Sequence, residues 1–136
     1  MVTDKSSRIL AVVDDDLRVR RSLEQLFRSA GMEHILFSSA AEILSSNKLS
    51  SIGCLVTDVR MPGMNGCELQ QRLGSIVPDL PVIFLTAHQD DDVRNRALRQ
   101  GAFAFLQKPF DGEELLSLVK LALGSSSTTE VSDVDR

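Results

Sequence analysis

The chain has 136 residues, and its 15 Lys and Arg residues against 19 Asp and Glu residues give a formal net charge of −4 at pH 7. This length fits a single domain with its own core, because folding removes roughly two-thirds of the surface of an unfolded chain of this size from water. The acidic balance and the absence of a long basic cluster argue against direct nucleic-acid binding by this chain.

The apolar runs are too short for a membrane span, which needs roughly 18 consecutive apolar residues. Residues 1–7 are too polar for a signal peptide, so we expect a cytoplasmic protein without membrane contact. The two cysteines, Cys54 and Cys67, stand far from any Cys-x-x-Cys spacing. We expect both to pack as small apolar residues rather than to form a disulfide or bind a metal.

Five short apolar runs alternate with amphipathic stretches of helical length, and the runs are 8–13, 35–37, 54–57, 82–85 and 103–106. Their continuous apolar character is typical of strands buried on both faces of a parallel sheet. Parallel strands need crossover helices, so the pattern predicts an α/β fold with a doubly wound five-stranded sheet in the flavodoxin-like order 2-1-3-4-5. We expect one domain over 8–124, a disordered segment over 1–7 and a flexible linker or tail over 125–136.

Two of the helical stretches differ from the others. The stretch 89–100 offers only Val93, Ala97 and Leu98 as an apolar stripe, which predicts a weakly packed fourth helix. The last stretch has more apolar residues than one core face needs: Leu115, Leu116, Leu118, Val119, Leu121, Ala122 and Leu123. We expect some of these to be exposed and the fourth helix, fifth strand and fifth helix to form a partner surface, with deeper burial of the fifth helix as the alternative.

Acidic residues follow the first and third predicted strands, which end in Asp14, Asp15 and Asp16 and in Asp58. These strands are neighbours in the predicted order, so at least three carboxylates should meet at the carboxyl edge of the sheet. Two carboxylates about 4 Å apart repel by roughly 4 kcal/mol at an effective dielectric constant of 20, so the cluster should hold protons or bind a cation. Mg²⁺ suits such oxygen ligands, although capping of the first helix is an equal alternative for Asp16.

The fourth and fifth predicted strands bring a hydroxyl group and a positive charge to the same edge. The fourth strand ends in Thr86, and Lys108 follows the fifth strand. A lysine beside carboxylates neutralises them and can pair with a phosphoryl oxygen. Either residue alone would more often be an ordinary surface residue, but together with the acids they indicate one site. The turn after the fifth strand also makes Lys108–Pro109 a candidate cis peptide bond.

In these segments the sequence resembles a receiver domain of bacterial two-component response regulators. The resemblance runs from about Arg8 to Gly124 and is carried by VVDDD, TDVRMPGMNG, FLTA and LQKPF, in that order. VTDVRMPGMNG and FLQKPF further resemble the FixJ-type subgroup, whose receivers commonly precede a LuxR-type helix-turn-helix domain. The resemblance implies a sensor histidine kinase as partner and a possible DNA-binding output domain beyond residue 136 that regulates transcription.

The resemblance also implies roles for single residues. Asp58 would accept a phosphoryl group from the histidine kinase. Asp14 and Asp15 would be the acidic pair that organises the Mg²⁺ site, with Asp15, Asp58 and the backbone carbonyl of Arg60 as direct ligands.

A second group of residues would read the phosphoryl group. Thr86 would bond its oxygen, and Lys108 would pair with it. Phe105 falls at the aromatic switch position. Because it is Phe and not Tyr, it has no phenolic hydroxyl group, so a switch that couples it to Thr86 must rest on burial of the ring. Phosphorylation would then favour a homodimer.

Three other functions fit the residues less well. A haloacid-dehalogenase-type phosphatase also uses an aspartate nucleophile with Mg²⁺, but its motif requires Thr or Val where Arg18 stands. A flavodoxin needs a hydroxyl-rich loop after the first strand and aromatic residues for the flavin, whereas this loop is acidic and the chain has no Trp or Tyr. The third is a pseudo-receiver that is never phosphorylated. We expect instead a phosphoacceptor that catalyses its own phosphoryl transfer and dephosphorylation without being a conventional enzyme.

Overall fold

The structure is a computed structural model that describes residues 9–87 and 91–125. Its strands are β1 (Ile9–Val13), β2 (His34–Phe37), β3 (Ile52–Asp58), β4 (Val82–Thr86) and β5 (Ala104–Gln107). Its α-helices are α1 (Leu17–Ser29), α2 (Ala40–Leu44), α3 (Gly66–Ile76), α4 (Asp91–Arg99) and α5 (Gly112–Ser125), and a short 3-10 helix spans Leu49–Ser51.

All strand pairs are parallel, and the strand order is β2-β1-β3-β4-β5, so the predicted α/β fold is confirmed. The five predicted strands are all present, with β3 two residues longer at its start than predicted. Helix α5 runs through Ser125, one residue past the predicted end of the domain. The predicted disordered segment 1–7 and the rest of the predicted tail, 126–136, lie outside the described residues.

The sheet is covered on both faces, which explains the continuous apolar character of its strands. Alternate β1 residues divide between the two faces. Leu10 and Val12 belong to a cluster with α1 and α5, whereas Ala11 and Val13 belong to a cluster with α2, α3 and α4. The two cysteines are free and buried, one in each cluster, as expected from the sequence. Within the described part of the chain, no helix combines the length and apolarity needed to cross a membrane.

The helices confirm part of the apolar patterns and correct others. In α3, Leu73 is buried, whereas Ile76, the last residue of the helix, is 53% exposed. Ala97 is buried in α4, whereas Leu98 is 41% exposed. In α5, Leu121 is 62% exposed, so the expectation that part of its apolar surface faces solvent is confirmed there.

Candidate functional site

Three of the predicted acidic residues meet at the carboxyl edge of the sheet. Asp14 follows β1, and Asp58 is the last residue of β3. The register pairs Val13 with Thr57, so the two strands end side by side. One carboxylate oxygen each from Asp14, Asp15 and Asp58 lie within 4.8 Å of one another. Asp16 instead caps α1, where its carboxylate accepts a hydrogen bond from the amide of Arg18 at 2.9 Å, so the capping alternative describes this residue.

Lys108 joins two of these carboxylates. Its Nζ donates to Oδ2 of Asp14 and to Oδ2 of Asp58, both at 3.1 Å. The amide of Lys108 donates to the carbonyl of Thr86 at 2.7 Å, and the following bond to Pro109 is cis. Burial by itself lowers the pKa of Lys108, but attraction and hydrogen bonds from Asp14 and Asp58 together outweigh it, so the pKa lies above its ordinary value of 10.5. The ammonium group therefore stays charged between the two acids.

Asp14 is the buried member of the cluster, with 1% of its surface exposed. Its Oδ1 accepts a hydrogen bond from the amide of Asp16 at 2.9 Å, and its Oδ2 accepts from Lys108. Burial raises the pKa of Asp14 above its ordinary value of 3.8, although both of these hydrogen bonds oppose the rise. Burial therefore disfavours the charged form of Asp14, and the attraction of Lys108 only partly offsets this.

The loop after β3 turns Asp58 towards the cluster and holds it. Oδ1 of Asp58 accepts a hydrogen bond from the amide of Arg60 at 3.2 Å. Asn65 then starts α3 with a capping box, in which it and Glu68 exchange two hydrogen bonds of 2.9 Å. The next residue, Gly66, passes so close to Asp58 that a Cβ atom there would overlap the Asp58 carbonyl oxygen. Only glycine fits at this position without a shift of backbone.

Thr86 ends β4, next to β3, and Phe105 lies on β5, one strand further out. The register pairs Asp58 with Leu85, so the buried Thr86 comes one residue later at the same edge. Phe105 pairs with Phe84 across β4 and β5, and their ring centroids are 5.9 Å apart. The ring of Phe105 is partly buried against the cluster under α2, α3 and α4. Their assignment as a switch, and that of the Arg60 carbonyl as a ligand, stay predictions.

The acidic cluster fits Mg²⁺ by the chemistry of its donors. Mg²⁺ takes one or two protein carboxylates and keeps several water molecules. Lys108 already bonds one oxygen each of Asp14 and Asp58, and the Asp16 amide bonds the other oxygen of Asp14. The second oxygen of Asp58 accepts the longer hydrogen bond of 3.2 Å from the Arg60 amide. The exposed Asp15 is thus the carboxylate best placed to ligate a cation on the solvent side, with Asp58 beside it.

Sequence reasoning missed one side chain that supports this region, and a pair of side chains that joins α3 to the end of α4 near the other edge of the sheet. Arg20 on α1 donates from Nη1 to the carbonyl oxygen of Asp14 at 2.8 Å. Gln100 after α4 donates from Nε2 to Oε1 of Gln70 on α3 at 2.8 Å. The position of Arg20, four residues after the helix cap Asp16, is a signal that could have placed it over the β1–α1 loop. The glutamine pair leaves no such signal, because its members are 30 residues apart.

Comparisons with known proteins agree on one family. A family model described as response regulator receiver domain matches residues 10–120. Nodulation protein W of Bradyrhizobium diazoefficiens is 45% identical over 121 residues, which are 88% of this chain and 53% of that protein. The DNA-binding transcriptional regulator NtrC of Escherichia coli is 42% identical over 115 residues, which are 85% of this chain and 24% of NtrC.

A solved structure extends the similarity to three dimensions. Full-length FixJ from B. japonicum superposes with a TM-score of 0.80 at 35% identity, covering 92% of this chain and 62% of FixJ. The chain spans about half the length of Nodulation protein W, and a smaller share of NtrC.

Proposed function

Because the chain belongs to the response regulator receiver domain family of two-component signalling, we propose that Asp58 is its phosphoacceptor and that a sensor histidine kinase is the donor. The observation that carries the proposal is the placement of Asp58 at the end of β3, with Lys108 Nζ at 3.1 Å and two further carboxylates in the same cluster. A nucleophilic carboxylate, a fixed ammonium group and a set of oxygen ligands for Mg²⁺ are the parts that phosphoryl transfer to aspartate requires.

In the proposed step an Asp58 carboxylate oxygen attacks the phosphorus of a phosphohistidine. A P–O bond forms, the P–N bond breaks, and the imidazole leaves with the electron pair and takes up a proton. Lys108 turns from Asp58 to a phosphoryl oxygen, which replaces the negative charge that it pairs with. Mg²⁺ held by Asp14, Asp15, Asp58 and the Arg60 carbonyl would supply positive charge for the equatorial oxygens. The chain would thus promote its own phosphorylation and dephosphorylation without acting as a conventional enzyme.

The phosphoryl group would be sensed on the side of the site where β4 and β5 end. The Thr86 hydroxyl would bond a phosphoryl oxygen and move towards it, which opens space for the ring of Phe105. Because Phe105 is only partly buried, its ring has further surface to bury in such a shift. A coupling of this kind is typically worth about 1 to 3 kcal/mol.

The proposed output is transcriptional regulation by a longer protein. Similarity to NtrC, a DNA-binding transcriptional regulator, and to full-length FixJ supports a DNA-binding domain beyond residue 136 and the FixJ-type subgroup. The proposed place of action is the cytoplasm, where histidine kinases present their phosphoryl groups.

We propose that phosphorylation favours a homodimer through α4, β5 and α5, on which Leu98 and Leu121 are exposed. Sedimentation velocity over a concentration series, with and without phosphorylation, tests this step. A rise in sedimentation coefficient only after phosphorylation supports it, and a monomer in both states contradicts it.

The phosphoacceptor proposal is tested by intact mass after incubation with acetyl phosphate and Mg²⁺. We expect one phosphoryl group on the wild-type chain and none on Asp58→Asn or without metal. Asp79→Asn is the matched control, because this exposed aspartate lies before β4 at the other edge of the sheet and should leave phosphorylation unchanged. No addition with acetyl phosphate or with a cognate kinase would leave a binding module that works without phosphorylation.

A further inference from the structure

Arg20 reaches from α1 into the loop that carries the acidic cluster. Its Nη1 donates a hydrogen bond of 2.8 Å to the backbone carbonyl of Asp14, and its side chain is half-buried. The hydrogen bond is charge-assisted, which makes it stronger than one between neutral groups. Arg20 thus bonds the main chain of the site and leaves the carboxylate oxygens to other partners.

This carbonyl controls the direction of Asp15. The Asp14 carbonyl and the Asp15 amide belong to one rigid peptide plane, so a bond to the carbonyl fixes how the chain enters Asp15. The other groups of Asp14 are already held, since its amide donates to the Phe37 carbonyl at 3.1 Å and its carboxylate bonds Asp16 and Lys108. Asp15 is the exposed acid of the three, and the hydrogen bond from Arg20 restrains the orientation of its backbone.

Glu42 on α2 is an acidic group that interacts electrostatically with Arg20. Oε1 of Glu42 accepts hydrogen bonds from the amide and the hydroxyl of Ser38, at 2.7 and 2.9 Å. These bonds, with a smaller contribution from the positive charge of Arg20, hold the pKa of Glu42 below its ordinary value. The carboxylate of Glu42 thus attracts Arg20 from the side of α2, while the guanidinium group of Arg20 bonds the Asp14 carbonyl.

We propose that Arg20 is a positioning residue that sets the Asp15 carboxylate for Mg²⁺ through the Asp14 carbonyl. The inference rests on the proposed function, because it assigns a support to the same metal site. Geometry and charge give opposite expectations here. A positive charge near the site repels Mg²⁺, so removing it would by charge alone tighten binding, whereas loss of positioning weakens binding.

The test measures Mg²⁺ affinity by isothermal titration calorimetry, which suits a chain without Trp. We expect Arg20→Gln to weaken binding about tenfold, as is common for residues that orient metal ligands. Arg20→Lys keeps the charge but not the geometry of the guanidinium group, so we expect a smaller loss of about threefold. Arg21→Gln removes an exposed charge from the next position of the same helix and should bind Mg²⁺ as the wild type does.

Urea unfolding without metal shows that each variant is folded, and Arg20→Lys keeps the test decisive if Arg20→Gln does not fold. Wild-type or tighter Mg²⁺ binding by a folded Arg20→Gln, or by Arg20→Lys where Arg20→Gln does not fold, overturns the positioning role alone. A wild-type chain that fails to bind Mg²⁺ overturns both this role and the proposed function.

Discussion

The surroundings of Asp58 and helix α4 are held in different ways. Around Asp58, ion pairs, backbone hydrogen bonds and a capping box fix each group, and Lys108 bridges two acids from the far end of the sheet. Across the sheet, Ala97 is the one fully buried residue among the described residues of α4. The groups around Asp58 are therefore held in place before any ligand binds, whereas α4 can shift without breaking much of the core.

Side-chain hydrogen bonds join α3 to the C-terminal end of α4. Nε2 of Gln70 donates to the carbonyls of Ala97 and Gln100, both at 3.4 Å. Nε2 of Gln100 donates in return to Oε1 of Gln70 at 2.8 Å and to the carbonyl of Cys67 at 3.4 Å. This amide clasp between α3 and α4 lies at the opposite end of α4 from Asp91, so we expect it to act as a local pivot when the helix moves.

The largest effect is expected from a substitution next to Asp58. Gly66→Ala places a methyl group against the Asp58 carbonyl and the Phe84 ring, and the backbone atom cannot give way without moving Asp58. We expect a loss of about 3 kcal/mol in the free energy of unfolding, measured by urea titration. Gly74→Ala in the same helix meets nothing within 4 Å and should add about 0.5 to 1 kcal/mol. Equal stability of the two variants would contradict the close approach.

A smaller effect is expected from a substitution at the contact between α3 and α4. Gln70→Ala removes the amide clasp. The Ala97 carbonyl and the Gln100 side chain then lose their hydrogen bonds to Gln70, which is only 7% exposed. We expect a loss of about 1 to 2 kcal/mol and faster amide hydrogen exchange in α4, with little change in β1 and β3. Gln71→Ala is the control, since that neighbour is exposed. Uniform exchange changes over the whole chain would argue against a local pivot.

The third prediction concerns the free-energy cost of burying the Asp14 carboxylate. The folded state holds the proton of Asp14 more tightly than the unfolded state, so stability falls as pH rises from the ordinary pKa of 3.8 to the raised one. Asp14→Asn removes this loss, and Lys108 keeps Asp58 as a partner. In metal-free buffer we expect the variant to be more stable than the wild type at pH 7, with the advantage shrinking towards pH 3. Urea titrations over this pH range check it, and an advantage independent of pH would contradict the assignment.

The smallest effect on stability is expected at the exposed apolar surface. Leu121→Ser removes a side chain that is largely in solvent, so the free energy of unfolding should change by less than about 0.5 kcal/mol. If α4, β5 and α5 form the dimer surface, the same variant should weaken association of the phosphorylated chain. Ile76→Ser is the control for sedimentation, because Ile76 is also exposed but lies on α3, which packs on the other face of the sheet from α5. Equal association of both variants would move the interface elsewhere.

Much of the site could be predicted because it stands at strand ends. The acids, Thr86 and Lys108 each follow an apolar run, and parallel strands bring such positions to one edge. Asp16 could not be settled in this way, because a helix cap and a metal ligand require the same residue type at the same place. The supports were not visible, since the bonds from Arg20 and between Gln70 and Gln100 depend on how helices pack.

The sequence by itself determined the strand order, the buried strands and the gathering of acids at one edge. Continuous apolar runs and the rules of parallel connection leave few other arrangements for such a chain. Only the tertiary structure decided which carboxylate oxygens Lys108 occupies, why Gly66 must lack a Cβ, and how much of Leu121 faces solvent. These depend on distances of a few ångströms between elements far apart in sequence, and local periodicity carries no information about them.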